Sequence, residues 1–128
     1  MQMKQFVIDG SLFSDASSFF KHAGSVFCPN FDYGRNLDAL NDILRGGFGA
    51  FDYGEQIQIE WRASDKSRHD LGFDETMRGL ESGAATCDPS NKAYFHGQIE
   101  ALKANKGQTL FDVIVEIINE HGHELHLK

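Results

Sequence analysis

The sequence is short of the residues that mark several specialised architectures. It has two prolines and two cysteines, Cys28 and Cys87, in 128 residues. Two cysteines make no disulfide framework in a chain of this length, so the expectation is a soluble cytoplasmic protein with reduced thiols. No stretch approaches the roughly 18 consecutive apolar residues of a membrane span. Residues 1–10 contain no apolar run of signal-peptide length. Positive charge is scarce as well, with 12 Lys and Arg against 19 Asp and Glu, a formal charge of −7. A protein that grips nucleic acid through its phosphates needs a concentrated basic face, and this balance argues against that class. The run Gly46-Gly47-Phe48-Gly49 lacks the lysine and hydroxyl residue of a phosphate loop, and reads as a helix stop followed by a flexible rim.

What is present is apolar volume. Eleven Phe, three Tyr and one Trp supply a core, and 41% of residues are hydrophobic, which argues against disorder. The length favours one domain over residues 1–128, because two cores would each be marginal. An acidic domain of this kind also suits a basic partner, whose approach its field would accelerate.

Phe6-Val7-Ile8 is a short apolar run closed by Asp9-Gly10, the pattern of a fully buried strand. A helix is expected over 15–23, with Ser14 as N-cap, Phe19, Phe20 and Ala23 inward, and Gly24 as its end. The helical signal is clearest over 36–45. Asn36 caps that helix, Asp38 lies in the first turn where the dipole favours an anion, and Gly46-Gly47 stops it. Leu37, Leu40, Ile43 and Leu44 make one apolar stripe. Gln56-Ile57-Gln58-Ile59-Glu60-Trp61 alternates strictly and reads as a strand, with Ser64 or Asp65 to cap a helix after it. Thr109 opens a last helix carrying Leu110, Phe111, Val113, Ile114, Ile117 and Ile118 at helical spacing. Gly122 ends it, and Leu125 and Leu127 alternate in a final strand.

This alternation predicts an α/β fold with a parallel sheet covered by helices through right-handed crossovers. The stretch around 72–107 fits less well. Residues 79–91 are rich in small and turn residues, while Tyr94, Phe95, Ile99 and Leu102 predict one more amphipathic helix. We read about 72–106 as an insertion with structure of its own, placed before the last helix.

The polar side of the 36–45 helix is where function is expected. Asp38, Asn41, Asp42 and Arg45 recur at helical spacing opposite the leucines, so they share one face. The plain reading is a solvated helix face; the functional one is an acidic strip presented to a cationic groove. Tyr33-Gly34 stands just before the cap and Phe48 just after the stop, so aromatics flank the strip, as suits a protein interface.

The block Tyr33-Gly34-Arg35-Asn36-Leu37-Asp38-Ala39-Leu40-Asn41-Asp42-Ile43-Leu44 joins a tight turn, a cap, a leucine stripe and an acidic face in that order. It resembles the signature of the barstar family of ribonuclease inhibitors. Phe6-Val7-Ile8-Asp9-Gly10 and Ile57-Gln58-Ile59-Glu60-Trp61-Arg62 stand in the same order as in that family, and 109–127 fits in pattern. The resemblance covers about 4–71 and 107–127 and leaves the insertion out.

The resemblance implies a three-stranded parallel sheet packed by helices, and inhibition by plugging a ribonuclease active site with the second helix and the loop before it. Asp42 would be the principal anion, entering the enzyme's phosphate site and meeting Arg and His groups there. Asp38 would pair with nearby basic groups, Tyr33 and Gly34 would pack on the rim, and Asn36 would cap the helix. Asn41, Arg45, Gly46 and Phe48 complete the expected partner-binding set. The implied partner is a basic, extracellular-type ribonuclease. No direct contact with nucleic acid or membrane is expected, nor any cofactor, metal or catalytic residue, and the free chain would be a monomer.

Four features depart from the family pattern. Asn41 stands where tryptophan is frequent, and Asp32 where a second aromatic is common. The 45–49 loop has one extra glycine, and Ile117, next to Glu116, replaces a glutamate of the last helix.

Other constellations weigh less. His121, His123 and His126 match no zinc spacing and read as a solvated strand end. Cys28 has no visible base beside it and reads as buried or inert. Trp61 is expected in the core, with Glu60 and Arg62 ordering the loop after it. Asp38 and Asp42 as an acid/base pair would need a cleft that drives their pKa values apart, which a helix face does not offer. The alternative function is a barstar-like binding module with a non-ribonuclease partner, engaged through the insertion.

Overall fold

Three short strands lie parallel and in sequence order. In the computed structural model, which describes residues 3–30 and 32–128, they are β1 (Gln5–Asp9), β2 (Gln58–Arg62) and β3 (Glu124–Leu127), with β2 central. The register aligns Phe6 with Ile59 and Leu125, and Val7 with Glu60 and His126. Helices α1 (Ala16–Phe27) and α2 (Leu37–Ile43) join β1 to β2. Helices α3 (Ser64–Asp70), α4 (Phe73–Thr86), α5 (Lys92–Lys103) and α6 (Leu110–Glu120) join β2 to β3. Among the described residues no helix is long and apolar enough to cross a membrane.

Both crossovers advance the sheet in the same direction, so right-handed connections bring their helices to the same face. Burial follows that rule. Ile8, Ile57, Ile59 and Trp61 are buried on one face, while Gln5, Arg62, Glu124 and Lys128 on the other are exposed. Among the described residues the parallel sheet is therefore covered on one side only. Val7 shares the polar side with Glu60 and His126 and is only half-buried, so Phe6-Val7-Ile8 is not the fully buried run its composition suggested.

Trp61 is the centre of the core. It is fully buried, stacked on Phe19 at 5.7 Å between centroids and against Phe111 at 5.0 Å, and its Nε1–H donates to Ser67 Oγ at 2.9 Å. Truncating such a side chain to alanine costs about 3–5 kcal/mol. The leucine stripe of α2 enters the same core through Leu40, Ile43 and Leu44, with Leu37 partly covered at the edge.

Several local expectations shift by a residue or two. Asp15, not Ser14, caps α1, in a reciprocal capping box with Ser18. Gly24 does not end that helix, which runs on to Phe27. A Cβ at Gly24 would stand 2.6 Å from Tyr33 Cε1, so the glycine serves a close ring contact instead. Neither Ser64 nor Asp65 caps α3. Ala63 takes that place at φ +53°, and the Ser64 hydroxyl donates to the Lys128 carbonyl at 2.9 Å, tying α3 to the end of β3. Thr109 caps α6 as expected, and Gly122, at φ +77°, follows it.

Residues 72–106 form a helical hairpin, α4 with α5. Tyr94, Phe95, Ile99 and Leu102 lie on α5 as the periodicity predicts, with Ile99 and Leu102 buried. The small-residue stretch from 79 is helical up to Thr86, against its turn-like composition. Gly83 lets Phe95 approach, since a Cβ there would meet the ring at 2.5 Å. The first turn of α4 closes two other helices. Glu75 accepts the Ala16 N–H at the start of α1, and Thr76 Oγ1 accepts the Leu110 N–H at the start of α6 at 2.7 Å.

Candidate functional site

Asp38 and Asp42 both lie on the solvent side of α2, opposite Leu40, Ile43 and Leu44. The carboxylate of Asp42 is 63% exposed and pairs with Arg45 at 3.7 Å, one turn further on. An exposed pair of this length contributes little to stability, about 1 kcal/mol at most, so the carboxylate remains available to a stronger cation. Asn41 is half-buried at the edge of this face, its Oδ1 accepting the Nε2–H of His121 at 2.6 Å.

Both ends of the short helix are fastened. At the start, Asn36 Oδ1 accepts the Ala39 N–H at 2.8 Å, and Arg35 before it takes the left-handed conformation, φ +54°. Tyr33 fixes the loop ahead of the cap. Its ring lies against Gly24 and its hydroxyl donates to the Phe20 carbonyl, while burial raises its pKa well above the usual phenol range. Tyr33 is thus turned towards α1 and positions the loop; it does not stand free beside the acidic strip. Gly34 approaches Ala39, where a Cβ would come to 3.3 Å.

At the other end, Gly46 adopts φ +88°, and a Cβ there would meet the Asp52 carbonyl oxygen at 2.2 Å. The Gly47 N–H donates to Phe51 O at 2.9 Å, and the Gly54 N–H to Arg45 O at 2.8 Å. The glycines after α2 therefore make a tight, fastened loop, which corrects the flexible rim expected from composition. Phe48 packs half-buried against the core, and Phe51 is buried.

The C-terminal histidines divide into three environments, against the single solvated strand end expected. His123 is buried. Its Nδ1 accepts the Ile57 N–H at 3.2 Å and its Nε2–H donates to the Leu44 carbonyl at 2.6 Å, which fixes the neutral Nε2–H tautomer. His121 stacks beside it, at 5.9 Å between centroids. Burial first, then His123 and Arg45, lower the His121 pKa. His126 lies on the open face of the sheet, against Glu124. Nothing in the local sequence separates these three; the partners of His121 and His123 come from α2 and its end and from the residue before β2, whereas His126 meets Glu124 on its own strand. Among the described residues no group of three His, Cys, Asp or Glu is placed to hold a metal ion. Cys28 is buried, and its thiol pKa is raised by burial and by Asp32, the environment of an unreactive thiol.

Sequence reasoning missed Tyr53. The tripeptide Asp-Tyr-Gly occurs twice, at 32–34 and 52–54, with opposite outcomes. Tyr33 is drawn inward, whereas Tyr53 is 78% exposed at the C-terminal end of α2. It borders a hollow of about 220 Å³ shared with Leu44, Arg45, Glu55 and His121. The repeated tripeptide was the one signal available in the sequence.

The arrangement amounts to a fixed anionic surface on a short, doubly anchored helix, with an exposed aromatic beside it. Comparison with curated proteins and with solved structures returned no match. A family model described as Barstar (barnase inhibitor) matches residues 3–92, from β1 through α4 to the first residue of α5; it takes in α4, which the resemblance read from sequence left out, and does not reach α6 and β3, which that resemblance included. With most of its length inside that match, and a three-stranded parallel sheet carrying the acidic helix, the chain belongs to the barstar family of ribonuclease inhibitors.

Proposed function

We propose that this protein is a stoichiometric inhibitor of a basic ribonuclease, acting in the cytoplasm of the cell it protects and blocking the enzyme's active site with the exposed face of α2. The observation that carries the reading is the pair Asp38 and Asp42, exposed on a helix fastened at both ends. A ribonuclease binds phosphate with arginine, lysine and histidine. A carboxylate held on a rigid element takes the phosphate's place with little ordering cost, because its backbone is already fixed. Asp42 is the principal anion in this scheme, released from Arg45 on docking. Asp38 pairs with cations at the edge of the enzyme's site, while Asn36, Asn41, Gly34 and Gly46 hold the geometry. An acid/base role for this pair lacks support, since both carboxylates face solvent and Asp38 borders only an open hollow.

The test is titration of a small, basic secreted ribonuclease with the protein, following RNA cleavage. Stoichiometric loss of activity is expected, and Asp42→Ala should weaken binding by several kcal/mol, as removing one member of a desolvated ion pair does. The variant's stability should change by about 0.5 kcal/mol or less, because the site is exposed. Unchanged inhibition by Asp38→Ala/Asp42→Ala would refute the helix-face reading.

A second reading rests on the hairpin. A largely apolar hollow of about 440 Å³ lies between α4, α5 and α6, lined by Leu80, Tyr94, Leu110 and Val113, and Tyr94 is 64% exposed. This favours a binding module with another partner engaged there. Absence of inhibition of several basic ribonucleases, with a non-nuclease partner bound by the wild type and by Asp42→Ala but not by Tyr94→Ala, would select it.

A further inference from the structure

The exposed tyrosine at the end of α2 has no packing role that explains it. A large aromatic left 78% exposed gives up most of its burial energy, yet the loop that carries it is firmly held. Phe51 anchors one side in the core, edge-on to Phe6 at 5.6 Å and to His123 at 5.8 Å. The Asp52 N–H donates to Glu55 Oε1 at 2.8 Å, and the Glu55 N–H returns a bond to Asp52 O at 3.0 Å. The Gly54 N–H to Arg45 O bond then fixes the turn to the last residues of the acidic face. The ring is thus held outward by its backbone, beside Arg45, before any partner arrives.

We propose that Tyr53 is a contact and specificity residue of the α2 surface, its ring receiving an arginine or lysine side chain of the basic partner. This rests on the inhibitor reading above and deepens it. The charge around the ring selects a cation. Asp52 directly before it is exposed, and Asp38 and Asp42 are exposed on the helix to whose end the Gly54–Arg45 bond ties this turn, while Glu55 is held by Lys4 at 3.5 Å. An aromatic face with carboxylates around it attracts a guanidinium or ammonium group through its quadrupole as well as through charge. A pre-positioned tyrosine also loses little entropy on binding, which is why such residues recur as interface anchors.

The experiment measures association and dissociation rates of the full-length protein with a small, basic secreted ribonuclease it inhibits, for the wild type, Tyr53→Ala, Tyr53→Phe, Tyr53→Leu and Asp42→Ala. Tyr53→Ala should dissociate about tenfold faster with an unchanged melting temperature, Tyr53→Phe within about twofold of wild type, and Tyr53→Leu like the alanine variant. If Tyr53→Ala dissociates at the wild-type rate while Asp42→Ala loses binding, Tyr53 is not a contact and the inhibitor reading stands. If Tyr53→Leu matches the wild type, the contact is apolar and the cationic partner group is wrong. Failure of the wild type to inhibit any of several basic ribonucleases overturns both proposals together.

Discussion

His123 donates its Nε2–H to the carbonyl of Leu44 at 2.6 Å, joining the start of β3 to the end of α2 across 79 positions of sequence. Its Nδ1 takes the Ile57 amide in the same plane of contacts, so one imidazole satisfies two backbone groups that neither helix nor sheet can satisfy. The acidic helix is therefore held by the sheet that it covers.

Removing that imidazole has a definite cost. In His123→Ala the Leu44 carbonyl and the Ile57 amide lose their partner, at about 1–3 kcal/mol for each buried group left unsatisfied. We expect a loss of about 3 kcal/mol in urea denaturation, and faster hydrogen exchange at the last turn of α2 than at α1. A variant as stable as the wild type would show that the bridge carries no weight.

Acid should weaken the fold in two stages. His22, whose Nε2 accepts the Asp9 N–H at 3.0 Å, has its pKa lowered by burial, as does His121; the usual value is 6.5. A histidine harder to protonate when folded makes the unfolded chain the better proton acceptor. Stability is therefore highest above about pH 6.5 and falls as pH drops from there through the depressed folded values. Glu75, lowered first by its bond with Arg78, adds a second loss as pH falls below its usual 4.5. Melting temperatures taken between pH 8 and pH 3 should show both steps. The upper step should shrink in His121→Asn, and a flat profile down to pH 5 would contradict it.

Salt should act mainly on the approach. With a net charge of −7 and Asp38 and Asp42 exposed, association with a basic nuclease is steered by fields that a Debye length of about 8 Å screens at physiological ionic strength. Raising salt should slow association much more than it speeds dissociation. Association rates indifferent to ionic strength would remove electrostatic steering from the scheme.

Much of this protein was legible in a few residues at a time. Asn36 and Thr109 cap helices because a cap is made by a side chain reaching two or three residues along its own chain. Ile57, Ile59 and Trp61 are buried together because strand geometry alternates, and α2 turns its leucines inward and its carboxylates outward because helical geometry separates them. The family block was readable for the same reason, being twelve consecutive residues. Features spread along the chain were not. Covering the sheet on one face follows from the sense of two long crossovers, which no strand encodes, and so Val7 could not be placed on its polar side in advance. Histidines 121, 123 and 126 look alike in sequence and differ in the structure only because α2, its end and the residue before β2 reach the first two. The two Asp-Tyr-Gly tripeptides show the division most directly. Sequence gives both the same three residues; the notch at Gly24 on α1 draws Tyr33 in, while the Arg45 carbonyl and the Phe51 anchor leave Tyr53 facing out, because burial depends on what distant segments bring alongside.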